Sequence, residues 1–193
     1  MKKLVFVFAL IALVSAGSAF AQTAYQNNIG VYFDEAGTTL INNDGVVGAK
    51  DVYVVLTNLT VDTVKGFECK LTAEGGMVMS YASITFPVNT VNVGVRFGEV
   101  IAGFAEPVMV ENGSVMVMQA QVIVTDVSIP GELYLEPVYF PSVEGAPAFL
   151  SAGVLIAANN STAPGEPVLV TNGSEEPVAT EGTSFDNLKS LYR

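Results

Sequence analysis

Between residues 29 and 171, apolar and polar side chains alternate one for one in short runs. In VKGFECKLTA, Phe67, Cys69 and Leu71 alternate with Glu68, Lys70 and Thr72. A period of two suits a strand with one face covered and one wet, whereas a helix would scatter those apolar residues around its axis. The pattern predicts strands at residues 29–34, 51–59, 64–73, 84–86, 91–97, 107–110, 115–125, 133–140, 154–158 and 168–171. Turn residues separate them. Asn112-Gly113 is the clearest hairpin signal, because both central residues of a type I′ turn need positive φ. Pro130-Gly131 and Asn172-Gly173 mark further turns. Many short strands with no helix between them predict an all-β fold, an antiparallel sandwich of jelly-roll or immunoglobulin-like type.

The ends read differently. The first residues, MKKLVFVFALIALVSAGSAFAQ, join two lysines to an apolar run and close on Ala19-Phe20-Ala21. That run is shorter than the roughly 18 residues a membrane-spanning helix needs. The stretch predicts a signal peptide over residues 1–21, a mature chain from Gln22, and a place in the periplasm, at the cell surface or outside the cell. Residues 22–175 then form the sandwich, and 176–193 a linker with a short C-terminal helix. In SFDNLKSLYR, Ser184 can cap that helix while Phe185, Leu188 and Tyr192 share a face. A helix of this length is marginal alone, so it is expected to dock that face on the sandwich.

Composition narrows the chemistry. The chain carries a net charge of −11 and no histidine. Such acidity repels phosphate backbones, so nucleic acid is an unsuitable partner. Without histidine there is no Ser-His-Asp or Cys-His catalysis and no histidine zinc site. The single cysteine, Cys69, lies on the apolar side of its strand and is expected to be buried. Nucleotide-binding glycine motifs are missing as well.

Several kinds of site are left. Paired carboxylates could hydrolyse a glycoside, and the acids on offer are Asp34, Glu35, Glu68, Glu99, Glu106, Glu132, Glu136 and Glu144. Tyrosines could stack on sugar rings: Tyr32, Tyr53, Tyr81, Tyr134 and Tyr139. Thioethers could hold Cu(I) if an Asn-Gly hairpin set Met109 opposite Met116, with Met118 further along. No cofactor is required by any motif.

LINNDGVVGAKDVYVVL offers a possible cation site. With Gly45 at the sixth position of a calcium loop, Asn42, Asp44 and Asp51 fall at the third, fifth and twelfth, which makes them the candidate calcium ligands. The string resembles a dockerin repeat over about seventeen residues. Its first position, however, is Leu40, a second repeat is missing, and a β-branched flank stands where a dockerin needs a helix. Asn43-Asp44-Gly45 therefore reads as a turn feeding a strand.

A longer resemblance rests on DVYVVLTNLTVDTVKGFECKL. A valine-rich strand, an asparagine-centred turn and a strand with a G-F-E core are similar to cohesin domains. NIGVYFDEAGT and GELYLEPVYFPSVEGAPAF, together with that segment, also resemble secreted bacterial proteins of uncharacterised function. The cohesin resemblance implies a jelly-roll sandwich that binds a dockerin or related surface partner through one sheet face, without catalysis. The expected function is thus a secreted, non-catalytic binding or scaffolding domain with a protein or polysaccharide partner. The alternatives are a carbohydrate-binding module, a two-carboxylate glycoside hydrolase and a structural subunit of an extracellular assembly.

Overall fold

The computed structural model of the protein describes residues 25–173. The expected signal peptide and the linker and helix at 176–193 lie outside them. Among the described residues there is no helix, and none is long and apolar enough to cross a membrane.

Two sheets form. Sheet A runs in the order β12 (Asn159–Asn160), β1 (Asn28–Tyr32), β3 (Gly48–Thr57), β8 (Val115–Val124), β5 (Met77–Thr85). Sheet B runs β11 (Val154–Ala157), β10 (Ala148–Ser151), β4 (Thr63–Gly75), β9 (Gly131–Glu136), β13 (Leu169–Thr171), β2 (Ile41–Asn42). Its β4 also pairs with β7 (Glu99–Met109), which carries β6 (Thr90–Asn92). Pairing is antiparallel except for the short β1–β12 and β13–β2 contacts. The fold is the expected antiparallel sandwich.

The inner faces meet in one core. Phe67, Cys69 and Leu71 of β4 pack there with Val100, Ala102 and Phe104 of β7, Phe149 of β10, and Val52, Val54 and Leu56 of β3. Covering each large side chain stabilises the fold by roughly 1.5–3 kcal/mol. Period two then sends Glu68, Lys70, Thr72, Glu99 and Ile101 to the outer face of sheet B.

Several elements differ from expectation. The strand expected at 91–97 ends at Asn92, because Asn92 Oδ1 accepts the amides of Gly94 (3.1 Å) and Ile101 (3.0 Å) and turns the chain back. The strand expected at 133–140 stops at Glu136, since Pro137 has no amide to continue the ladder. The pieces expected at 84–86 and 107–110 are the ends of the longer β5 and β7. Ala102, Gly103 and Ala105 hide β7 in the sequence by weakening its β signal.

The Asn112-Gly113 turn forms as expected, with φ of 52° and 75°, and Glu111 and Ser114 exchange backbone hydrogen bonds across it. It does not make a hairpin. It carries the chain from β7 in sheet B to β8 in sheet A, so Met109 pairs with Thr63 and Met116 with Val55. Met109 is exposed and Met118 fully buried, and the expected thioether pair does not come together.

Candidate binding face

Sheet B carries an unusual excursion. Glu136 at the end of β9 pairs with Lys70, and Ala148 at the start of β10 pairs with Glu68. Those positions lie two residues apart on β4, while 137–147 lie between their partners. The excess chain is expelled as a strap over the outer face.

Two buried carboxylates hold the strap. Glu68 is 5% exposed, and its oxygens accept the Ser142 amide (2.6 Å) and the Ser142 hydroxyl (2.7 Å). Glu99 accepts the Tyr139 amide on Oε1 (2.7 Å) and the Arg96 amide on Oε2 (3.3 Å). One carboxylate thus joins the strap to the 93–98 loop. Amide and hydroxyl donors suit this work because carboxylate oxygens are strong acceptors and the site is partly dry. Glu68 and Glu99 are the acids that sequence reading placed among many; here they are structural anchors, with their oxygens occupied.

The clamp brings two exposed segments together. The Arg96 guanidinium carbon lies 3.5 Å from the Tyr139 ring centre and 5.4 Å from that of Phe140. Tyr139 and Phe140 meet edge to face at 90°. Phe97 is 83% exposed, Val95 89%, Phe140 77% and Tyr139 61%. Tyr139 and Phe140 thus share a stacked cation, while the exposed Phe97 ring meets Tyr81 edge to face at 4.5 Å.

Beside it the register lays out an apolar row across the sheet. Val91 pairs with Gly103, Gly103 with Gly66, Gly66 with Leu150 and Leu150 with Leu155. Val91 and Leu155 are exposed, and the two glycines form a low floor between them. A Cβ on Gly66 would lie 2.5 Å from the Ala102 carbonyl oxygen, whereas one on Gly103 would meet open space. Gly66 serves backbone packing; Gly103 leaves room above the sheet.

The other expected groups are dispersed. Asn42 Oδ1 accepts the Asp44 amide and Asp44 Oδ1 the Val46 amide, while the other Asp44 oxygen is ion-paired with Lys50. The Lys50 hydrogen bond holds the Asp44 carboxyl below the usual range. Asp51 Oδ1 accepts from Gln121 Nε2 at 3.0 Å, and β3 continues past it as a strand. The three candidate ligands thus have separate partners. Burial pushes the Asp34 carboxyl up, but hydrogen bonds from Thr39 and Thr38 outweigh it and leave it lowered. Among the described residues, no three acids or thiols gather as metal ligands would.

The tyrosines are also divided. Tyr32 is buried, Tyr53 is half-buried, Tyr81 donates to the Leu71 carbonyl (3.0 Å), and Tyr134 donates to Glu132 (2.7 Å). That last bond pushes the Tyr134 hydroxyl up to about 12. Tyr134 and Tyr25 line a separate cleft of about 510 Å³ with Glu136, Asn159 and Glu166. Sequence reading missed Val91, Val95, Phe97, Phe140 and Leu155 as surface groups because their strand-like pattern predicts burial.

No family model matches the chain, and no curated protein matches it at a significant level. The solved structures similar to it in outline include two cohesins. The sixth cohesin of scaffoldin B from Acetivibrio cellulolyticus, solved with a mutated Cel5 dockerin, is 12% identical with a TM-score of 0.43, covering 77% of this chain and 99% of its own. The seventh ScaB type I cohesin from Pseudobacteroides cellulosolvens is 13% identical with a TM-score of 0.45, covering 83% of this chain and 97% of its own.

Proposed function

We propose that the protein is an exported, non-catalytic binding domain whose outer sheet-B face receives a protein partner. The observation that supports this is the number of exposed apolar side chains carried by these segments: Tyr139 and Phe140 in contact around Arg96, with Val91, Val95, Phe97 and Leu155 exposed on the flanking strands and loop and an open floor at Gly103. Exposed apolar patches on soluble domains mark interaction sites. Five strands at about 4.8 Å spacing make a face roughly 19 Å wide, enough to seat the apolar side of a helix about 10 Å across.

The same geometry disfavours the other readings. A sugar platform needs an open ring face, but Tyr139 has Arg96 stacked at 3.5 Å and Phe140 perpendicular to it. A two-carboxylate hydrolase needs an acid and a base free to reach substrate and water. Glu68 and Glu99 instead have their oxygens bonded to backbone and hydroxyl donors.

The test is retention of host envelope and secretome proteins by the exported chain and by two variants, Phe97→Asp and Gly103→Leu. Phe97 is exposed and Gly103 opens to empty space, so both variants should keep the fold. A specific protein retained by the wild type and lost, by roughly tenfold or more, from both variants is the expected result. Equal retention by all three would remove this face from consideration.

A further inference from the structure

The edges of the two sheets are not equally protected. An edge strand exposes unpaired amides and carbonyls, and proteins blunt such edges with short strands, bulges, lysine or proline. Here β12 and β2 have two residues each and β6 three. At the far edge of sheet A, the β5–β8 register shifts between Ser80 and Thr85. By contrast β11 is a regular four-residue strand, VLIA, which among the described residues pairs only with β10. It has no bulge, and no charged residue occurs from Gly145 to Gly165.

Its side chains are apolar on both faces. Ile156 packs against the core edge, whereas Val154 is 59% exposed and Leu155 49%. The β10–β11 turn, with φ of 48° at Ala152 and 81° at Gly153, fixes the strand in register. An extended, uncharged, apolar edge that keeps one hydrogen-bonding side open is matched by another strand of the same kind.

We propose that β11 is a self-association edge, at which two copies of this chain pair their β11 strands antiparallel about a two-fold axis at Leu155. Facing residues must project to the same side of the joined sheet, so the axis falls on a residue rather than between two. Centred on Leu155, it sets Leu155 against its copy, Val154 against Ile156 and Gly153 against Ala157. Each facing pair is apolar or glycine. The net charge of −11 opposes association elsewhere, but this segment contributes none of it. Joining the edges also makes the apolar rows of the two outer faces continuous from one copy to the next. Four residues a side bury less than the ~1,200 Å² of a stable interface, so the dimer is a transient one. This inference shares Leu155 with the proposed partner face, and a substitution at Val95, which lies on that face but off this edge, separates the two.

Sedimentation velocity of the exported protein over a wide concentration range tests it. The expected result is a monomer–dimer equilibrium that shifts toward dimer with added salt, as screening reduces repulsion between acidic copies. Leu155→Lys and Leu155→Glu should each weaken association by roughly tenfold or more, because like charges then face each other. Mixing the two variants should restore a dimer. Leu155 is half-exposed, and near-ultraviolet circular dichroism would verify that both variants keep the fold. Val95→Lys, at the aromatic surface, should leave association unchanged. A monomer at every concentration and salt would overturn the proposal. So would a dimer lost in Val95→Lys but kept in both Leu155 variants, or a variant mixture that stays monomeric.

Discussion

Cys69 shows how a single position can respond to pH without any catalytic role. Its side chain is fully buried between the sheets, and burial, followed by the charge of Glu68, pushes the thiol from 9.0 up to about 12. A thiol so placed is a poor nucleophile, because the thiolate is the reactive form. Native protein should therefore resist maleimide labelling at neutral pH and label fully in denaturant, which intact-mass spectrometry would record. The same shift has a stability consequence. The folded thiol binds its proton more tightly than the unfolded one, so its contribution is complete below pH 9.0 and is lost as pH rises toward 12. Thermal melts from pH 8 to 11 should show a steeper loss of Tm in the wild type than in Cys69→Ala.

At the scale of elements, the strap at 137–147 and the 93–98 loop behave as one unit through Glu99. Removing that carboxylate leaves the amides of Tyr139 and Arg96 without their acceptor. Glu99→Ala should cost about 1 kcal/mol in denaturant unfolding, the low end of the penalty for unsatisfied donors, because these amides are only part-buried. It should also speed hydrogen exchange at Tyr139 and Arg96 while the amides of β3 and β8 keep their protection. Equal acceleration in all four segments would mean that Glu99 supports the whole sandwich rather than the strap. Pro137 announces in the sequence that β9 must stop. Nothing in the sequence announces that the chain rejoins the same neighbouring strand at Ala148, because that depends on where β4 lies.

Across the whole molecule, acidity is the dominant electrostatic fact. Against the net charge of −11, the ion pairs found among the described residues are Lys50–Asp44 and Lys70–Glu136. Both are near the surface, where such pairs contribute roughly 0–1 kcal/mol. Self-repulsion therefore opposes the compact state, and screening should relieve it. Raising ionic strength from about 0.01 to 1 M shortens the Debye length from roughly 30 to 3 Å. Calorimetry should show Tm rising over that range. A fall in Tm would mean that attractive pairs outweigh the repulsion.

Local chemistry was enough to determine the all-β class, most strand positions, the buried side of β4 and the backbone of the Asn112-Gly113 turn. Each of these depends on neighbours one to four residues away, through side-chain alternation or backbone sterics. The same local signals misread Val95, Phe97 and Phe140 as strand interior, and left Glu68 and Glu99 among eight equivalent acids. Tertiary structure decided those cases. Glu68 and Glu99 become anchors because β4 and β7 pair in a register that brings the strap above them. Gly103 becomes an open floor because Gly66 lies beside it on a strand 37 residues earlier in the chain. The turn after Met109 joins two sheets rather than two partners, since β8 pairs with β3 and β5 while β7 pairs with β4 and β6. Where a side chain ends up depends on which strands close around it, and that choice is made by burial summed over the whole core.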